Sequence, residues 1–112
     1  MARPRLNRPL VLEAALRLPD GAGGFTLVWQ ARGTLWAEVS TRAGREAEGE
    51  GVRLARAGYR IAVRAAPQGS SSRPQAGQRL RDGARLFHIV AVTEADAGGR
   101  YLTCWAEEEV VQ

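Results

Sequence analysis

Apolar side chains recur at every second position through most of this chain. Leu10, Leu12, Ala14, Leu16 and Leu18 alternate with Val11, Glu13, Ala15 and Arg17. The same alternation runs through Phe25, Leu27, Trp29 and Ala31, through Leu35, Ala37 and Val39, and through Tyr59, Ile61, Val63 and Ala65. A period of two sends successive side chains to opposite faces of an extended backbone, so each run reads as a half-buried strand. Residues 86–93 are apolar on both faces and predict a central strand covered on both sides. Residues 101–107 read as its hairpin partner, and a short strand is expected near 78–81. The segment from Leu12 to Leu18 also has high helix propensity. Pro9 before it and Pro19-Asp20-Gly21 after it leave it short for a helix, and it is read as a strand.

Turn chemistry separates these runs. Pro19-Asp20-Gly21 and Gly23-Gly24 make the first connection, Gly33 reads as a tight break between two strands, Asp82-Gly83 turns into the next, and Asp96-Ala97-Gly98-Gly99 closes a hairpin. Many short strands with regular turn signals indicate an all-β fold, a small β-barrel or sandwich of six to seven antiparallel strands with a long projecting loop. With 112 residues there is room for one domain, expected to span 1–112. Two segments are longer than ordinary connections, and loops of that length are commonly functional or disordered. Residues 41–58 hold four glycines, four arginines and three glutamates, with too few apolar side chains for a core of their own. Residues 66–77, with Ser70-Ser71-Ser72, Pro67 and Pro74, read as a flexible loop, and 108–112 as an acidic tail.

Charge refines this picture. All 16 basic residues are arginine, a bias that a high-GC genome produces by codon usage and that also supplies guanidinium forks suited to phosphate and carboxylate. Residues 42–85 carry ten arginines against four acids, and residues 86–112 one arginine against five acids. Such poles suit head-to-tail contacts between copies or a place beside DNA, unless the charges merely solvate the surface. The single cysteine, Cys104, excludes an internal disulfide and fits a reducing compartment. No signal peptide and no membrane-spanning apolar run is read in the sequence.

Little here supports catalysis. His88 is the one histidine and lies within a strand, where a packed or sheet-face role outweighs that of a general base. One His and one Cys give no metal-ligand spacing, and the absence of lysine excludes a Gly-Lys-Ser/Thr phosphate loop and Schiff-base chemistry. Glu107-Glu108-Glu109 reads as a solvated tail. No catalytic, cofactor or metal site is expected. Arg42, Arg45, Arg53 and Arg56 in the long loop are candidates for sequence-neutral phosphate contacts. A dedicated single-strand binder would stack bases on exposed aromatics, whereas the aromatics here all lie within strand patterns and some must serve the core.

In order and spacing, the residues resemble the phage head–tail joining family, also called head-closure, stopper or head–tail adaptor proteins. The resemblance covers residues 6–107. It starts at Leu6-Asn7-Arg8-Pro9-Leu10-Val11-Leu12 and continues through Asp20, Gly23-Gly24 and a strand containing Trp29. Leu35-Trp36-Ala37-Glu38-Val39 followed by Gly44-Arg45-Glu46 is the most distinctive part. Tyr59-Arg60-Ile61-Ala62-Val63-Arg64, Phe87-His88-Ile89-Val90-Ala91-Val92 and Tyr101-Leu102-Thr103-Cys104-Trp105 complete it, while 66–77 departs from the family pattern. The resemblance implies a β-barrel, with Trp29, Trp36, Glu38, Tyr59 and Phe87 at structural motif positions. It also implies a non-enzymatic virion neck protein, assembled in the bacterial cytoplasm into a homo-oligomeric ring, with a hexamer favoured over a dodecamer. Its expected partners are the head-side portal and adaptor proteins, tail-terminator and tail proteins, and double-stranded DNA held non-specifically in the channel by the 41–58 loop. Composition fits a gene transfer agent of a high-GC bacterium. The alternative from the residues alone is a stand-alone β-barrel nucleic-acid-binding module.

Overall fold

The computed structural model describes residues 3–42 and 57–109. The excursion 43–56, holding Arg45, Arg53 and Arg56, lies outside the described residues, as do 110–112 of the acidic tail. Six strands follow in chain order: β1 (Arg8–Pro19), β2 (Phe25–Thr41), β3 (Ala57–Arg64), β4 (Arg79–Asp82), β5 (Arg85–Glu94) and β6 (Tyr101–Glu108). Every neighbouring pair is antiparallel, and the sheet closes on itself in the order β1-β2-β3-β6-β5-β4 through pairing of β1 with β4. The fold is all-β, and no helix occurs among the described residues.

Closure gives the period-two pattern its meaning. Leu10 and Leu12 of β1, Ala37 of β2, Ile61 and Val63 of β3, and Leu80 of β4 turn inward. They meet Phe87 and Ile89 of β5 and Leu102, Cys104 and Ala106 of β6 in one buried cluster. One residue in two from each strand thus fills the barrel, and the alternate residues face out. The segment weighed between helix and strand is a strand: residues 12–18 lie within β1 and pair with β2 as far as Leu18↔Thr26, and Leu12 and Ala14 are buried.

Two expectations are corrected. Gly33 does not separate two strands. It sits inside a continuous 17-residue β2 at a φ of 135°, where the register with β1 shifts between Leu12 and Glu13. Leu12 pairs with Gly33 and Glu13 with Ala31, so Arg32 is the extra residue of a bulge. The bulge swaps the inward parity, since Leu35 and Ala37 share a face with Leu10 while Trp29 and Ala31 share the outer face with Glu13. Strand β5, expected to be covered on both sides, has one covered face. Its Val90 is 49% exposed at a register shift between Ile89 and Ala91, because a single closed sheet has nothing on its outside to cover a second apolar face.

The connections divide between the two ends of the barrel. At one end, β2 and β3 flank the 43–56 excursion, and the backbone NH of Arg42 donates to the Gly58 carbonyl at 3.0 Å. At the other end lie the β5–β6 turn and the 65–78 connection. Arg73 donates through Nη1 to the Ala66 carbonyl at 2.8 Å, and Pro74 is fully buried. The first hairpin also leaves from this second end. From Ala15↔Trp29 to Pro19↔Phe25, five ladder pairs run on where neither β4 nor β3 pairs with them, so this part is a two-stranded ribbon.

Candidate functional site

The mouth around the 43–56 excursion is built from the strand ends that flank it. Tyr59 pairs with Thr41, and its ring stands edge-on to buried Phe87 at 5.1 Å between centroids. Arg85, entering β5 after the Asp82–Gly83 turn, donates from Nε and Nη2 to the two carboxylate oxygens of Glu108 at 2.8 and 3.1 Å. Its Nη2 also reaches the Tyr59 hydroxyl at 3.2 Å. This two-pronged hydrogen bond holds the Glu108 carboxyl below its ordinary range and outweighs desolvation, which acts the other way. Burial, then the nearby Glu108, pushes the Tyr59 phenol up. Arg8 pairs with Asp82 across the β1–β4 seam. Arg42 packs its guanidinium over Gly58, where a side chain would have to displace it. Among the described residues the mouth carries Arg8, Arg42 and Arg85; Arg8 pairs with Asp82 and Arg85 with Glu108.

Of the four loop arginines singled out from the sequence, Arg42 is thus placed at the stem of the excursion. The other three fall outside the described residues, so their contacts are not part of this geometry. The motif positions separate into two groups. Tyr59 and Phe87 meet at the mouth, whereas Trp29, Trp36 and Glu38 lie on the barrel's outer surface. Trp36 is 56% exposed, and Glu38 accepts a hydrogen bond from the Arg5 backbone NH at 3.1 Å. Of the seven aromatics, only Phe87 is fully buried. Alternation in a closed sheet offers as many outward as inward places, and most aromatics took the outward ones.

A second cluster, which the sequence reading missed, lies on the outer face where β1 meets β4. Glu13 is 6% exposed although it points away from the barrel interior. Its two carboxylate oxygens accept from Arg79 Nε at 2.6 Å and Arg81 Nε at 2.8 Å. Burial pushes the Glu13 carboxyl up, but the hydrogen bonds from Arg81 and Arg79 outweigh it and hold the group below the usual range. The Arg79 guanidinium lies over the Trp29 ring, and His88 stands edge-on to the same ring at 6.0 Å. His88 Nε2 and Glu109 Oε1 are 2.7 Å apart. The histidine is a sheet-face residue, and its carboxylate partner comes from the stretch read as a solvated tail. That stretch is tied down, since Glu108 belongs to β6 and the Glu109 NH donates to the Leu86 carbonyl at 2.8 Å. The Glu13–Arg79 and Glu13–Arg81 separations of 66 and 68 residues explain why no local pattern announced the cluster.

Among the described residues no three His, Cys, Asp or Glu side chains gather where they could hold a metal ion. Burial pushes the Cys104 thiol up to about 12, far from a nucleophilic thiolate at neutral pH. No helix among the described residues is long and apolar enough to cross a membrane.

Comparison with known proteins agrees with this arrangement. The family model described as phage head completion protein matches residues 1–109. A chain in the virion of a native gene transfer agent particle is 57% identical, with 98% of this chain and 100% of that chain covered and a TM-score of 0.82. The solution structure of a Shigella flexneri 2a protein is 23% identical over the full length of both chains with a TM-score of 0.70, a likeness of fold. No curated protein matches the chain.

Proposed function

The chain belongs to the phage head completion protein family, and from that premise we propose that it closes the DNA-filled head of a phage-like particle and joins it to the tail. It does so as a structural neck subunit, without catalysis. Copies form a ring, a hexamer in the first instance, between the head-side portal and adaptor proteins and the tail terminator. The segment 41–58 borders the channel, and Arg42, Arg45, Arg53 and Arg56 hold the DNA end by phosphate contacts that need no base readout.

The observation that carries this reading is the 57% identity, over nearly the whole chain, to a chain of a gene transfer agent virion. The geometry supports it. Arg42 and Gly58 gather both stems of the arginine-bearing excursion at one end of a closed barrel, so a ring of barrels with that end toward its axis would concentrate positive charge in the lumen.

The test is an image of intact particles by cryo-electron microscopy together with Arg→Glu changes at the four loop positions. Density for this chain as a ring between portal and tail, and heads that lose DNA when the charges are reversed, is the expected result. Unchanged DNA retention and assembly would remove the channel role. A chain absent from particles and bound to DNA as a monomer with a steep salt dependence would favour the nucleic-acid-binding module instead.

A further inference from the structure

Strand β2 outruns its neighbour on one side. It pairs with β1 from Phe25 to Ala37, but with β3 only from Ala37 to Thr41. After Arg64 the chain leaves β2, and the Ala65 backbone NH donates to the Arg100 carbonyl at 2.9 Å on the β6 side. Among the described residues nothing pairs with the β2 edge from Phe25 to Trp36. Antiparallel ladders turn the backbone groups of alternate residues to opposite sides. The Arg42 NH donates toward β3, so, counting back in twos, Thr34 and Trp36 direct their NH and carbonyl groups to that same side, past the end of β3. Beyond the bulge the Asp20 NH donates to the Gly24 carbonyl, so Thr26, Val28 and Gln30 face β1, and Phe25, Leu27 and Trp29 face the open edge.

Exposed edges are usually guarded by prolines, charges or bulges. From 25 to 36 there is no proline and no acid, and the sole charge is Arg32 at the bulge. Beside this edge lies a gap of about 420 Å³ lined by Leu6, Thr34, Leu35, Trp36 and Arg64. It sits where a strand continuing the line of β3 would run. Leu35, in its wall, packs against the barrel core, so the gap suits one apolar side chain of such a strand. Arg32 and Arg64 are exposed, and neither has an acidic partner among the described residues. The edge therefore offers unpaired main-chain groups, an apolar gap and two arginines without acids.

We infer that the open edge of β2 receives an extended, acid-bearing segment of a different protein, which joins the sheet as an added strand in line with β3. Main-chain bonds to Leu27, Trp29, Thr34 and Trp36 supply affinity, and the gap beside Leu35 takes an alternate apolar side chain. Arg32 and Arg64 select the acids. A second copy does not fit. The open edge it would bring, residues 15–19 of β1, sets Arg17 against these arginines and ends in Pro19, which has no NH to give. Its acidic stretch on β6 is already paired by β3 and β5. This inference rests on the neck reading for the source of the segment, a neighbouring neck protein, while the edge itself is tested on the chain alone.

Amide exchange on the purified full chain, read by NMR, tests it with two soluble probes: a peptide of alternating valine and glutamate, and its valine–arginine counterpart. The glutamate probe is expected to slow exchange at Leu27, Trp29, Thr34 and Trp36 about tenfold while leaving Val28, Gln30 and Leu35, which face β1, unchanged. The arginine probe should have no effect. In Arg32→Glu/Arg64→Glu the preference should reverse, and Thr34→Pro, with its circular dichroism retained, should lose the response to both. Protection by neither probe, equal protection by both, or protection on another strand overturns the proposal. In assembled particles, a photo-cross-linker at Thr34 should join the chain to an acid-bearing peptide of another neck protein. An adduct with a second copy, or none, overturns the contact while the neck role stands. A chain missing from particles sinks the neck role instead, and the probe result then decides the edge.

Discussion

Arg79 lies with its guanidinium carbon 4.0 Å from the centre of the Trp29 ring while its Nε donates to Glu13, so one side chain joins the base of the projecting ribbon to the β1–β4 seam. That seam rests on only three ladder pairs, Val11↔Arg81, Leu12↔Leu80 and Glu13↔Arg79, yet it closes the barrel. The ion-paired cluster on its outer face is the reinforcement. Replacing Glu13 with Ala leaves two arginines without their shared acceptor and should cost about 2 kcal/mol, the partial solvent access of Arg81 keeping the loss below that of a fully buried pair. Glu13→Gln, which keeps an acceptor oxygen and loses the charge, should cost about half as much. Urea unfolding of the two variants checks the order, and equal stability of Glu13→Ala and the parent would remove the cluster's structural role.

Acid should destabilise the fold through the same groups. Glu13 and Glu108 both hold their carboxyls below the ordinary value of 4.5 in the folded chain. In the unfolded chain they take up protons near that value, so on acidification the unfolded state binds protons first. The stability they contribute is full above about pH 5 and drains away as pH falls from there through the lowered folded values. The expected result is a lower urea midpoint at pH 3.5 than at pH 7, with a shallower pH slope in Glu13→Gln. An unchanged slope in that variant would place the acid sensitivity elsewhere.

Gly33 should resist substitution for a reason of backbone alone. A Cβ placed there meets no atom within 4 Å, so space is ample, but the φ of 135° is one that side-chain-bearing residues rarely adopt. Gly33→Ala is expected to cost about 1–2 kcal/mol, which for a domain of this size lowers Tm by roughly 4–10 °C. Because the bulge sets which face of β2 points inward, the substitution should also alter the near-ultraviolet signal of Trp29. A Tm within 1 °C of the parent would show that the strand absorbs the change by other means.

The Cys104 thiol should be silent in the native protein. It is fully buried, and burial raises its pKa to about 12. Reaction with a disulfide reagent at pH 8 is expected only in proportion to unfolding, becoming immediate in denaturant. Rapid stoichiometric labelling without denaturant would mean that β6 opens far more readily than its pairing with both β3 and β5 implies.

Residues that pack locally or alternate strictly were legible in advance. The Leu10–Leu12, Ile61–Val63 and Leu102–Cys104–Ala106 pairs and triplet reached the interior as their spacing indicates, and Asp96 with Gly99 made the turn their chemistry suits. The errors cluster where a tertiary event overrides period two. Reading Gly33 as a break between two strands concealed a bulge, since an inserted residue changes which side chains face the core without disturbing the apolar rhythm on either side of it. Val90 misled for a related reason, because an apolar residue on the outside of a barrel looks the same in sequence as one in a sheet covered twice. Glu13, Arg79 and Arg81 were unreadable as a unit, being joined only once the barrel closes. The mouth was partly legible. Its tyrosine and phenylalanine stood out, whereas Glu108 read as part of a solvated tail and Arg85 was not singled out at all.

The closure of Arg42 upon Gly58 carries a consequence for how such proteins diversify. Where a chain leaves and re-enters a sheet at a single hydrogen-bonded step, the length and content of what lies between can change without altering one ladder pair. Selection can then change the excursion while the six strands stay as they are. The same junction is a natural point at which an engineer could insert a reporter peptide.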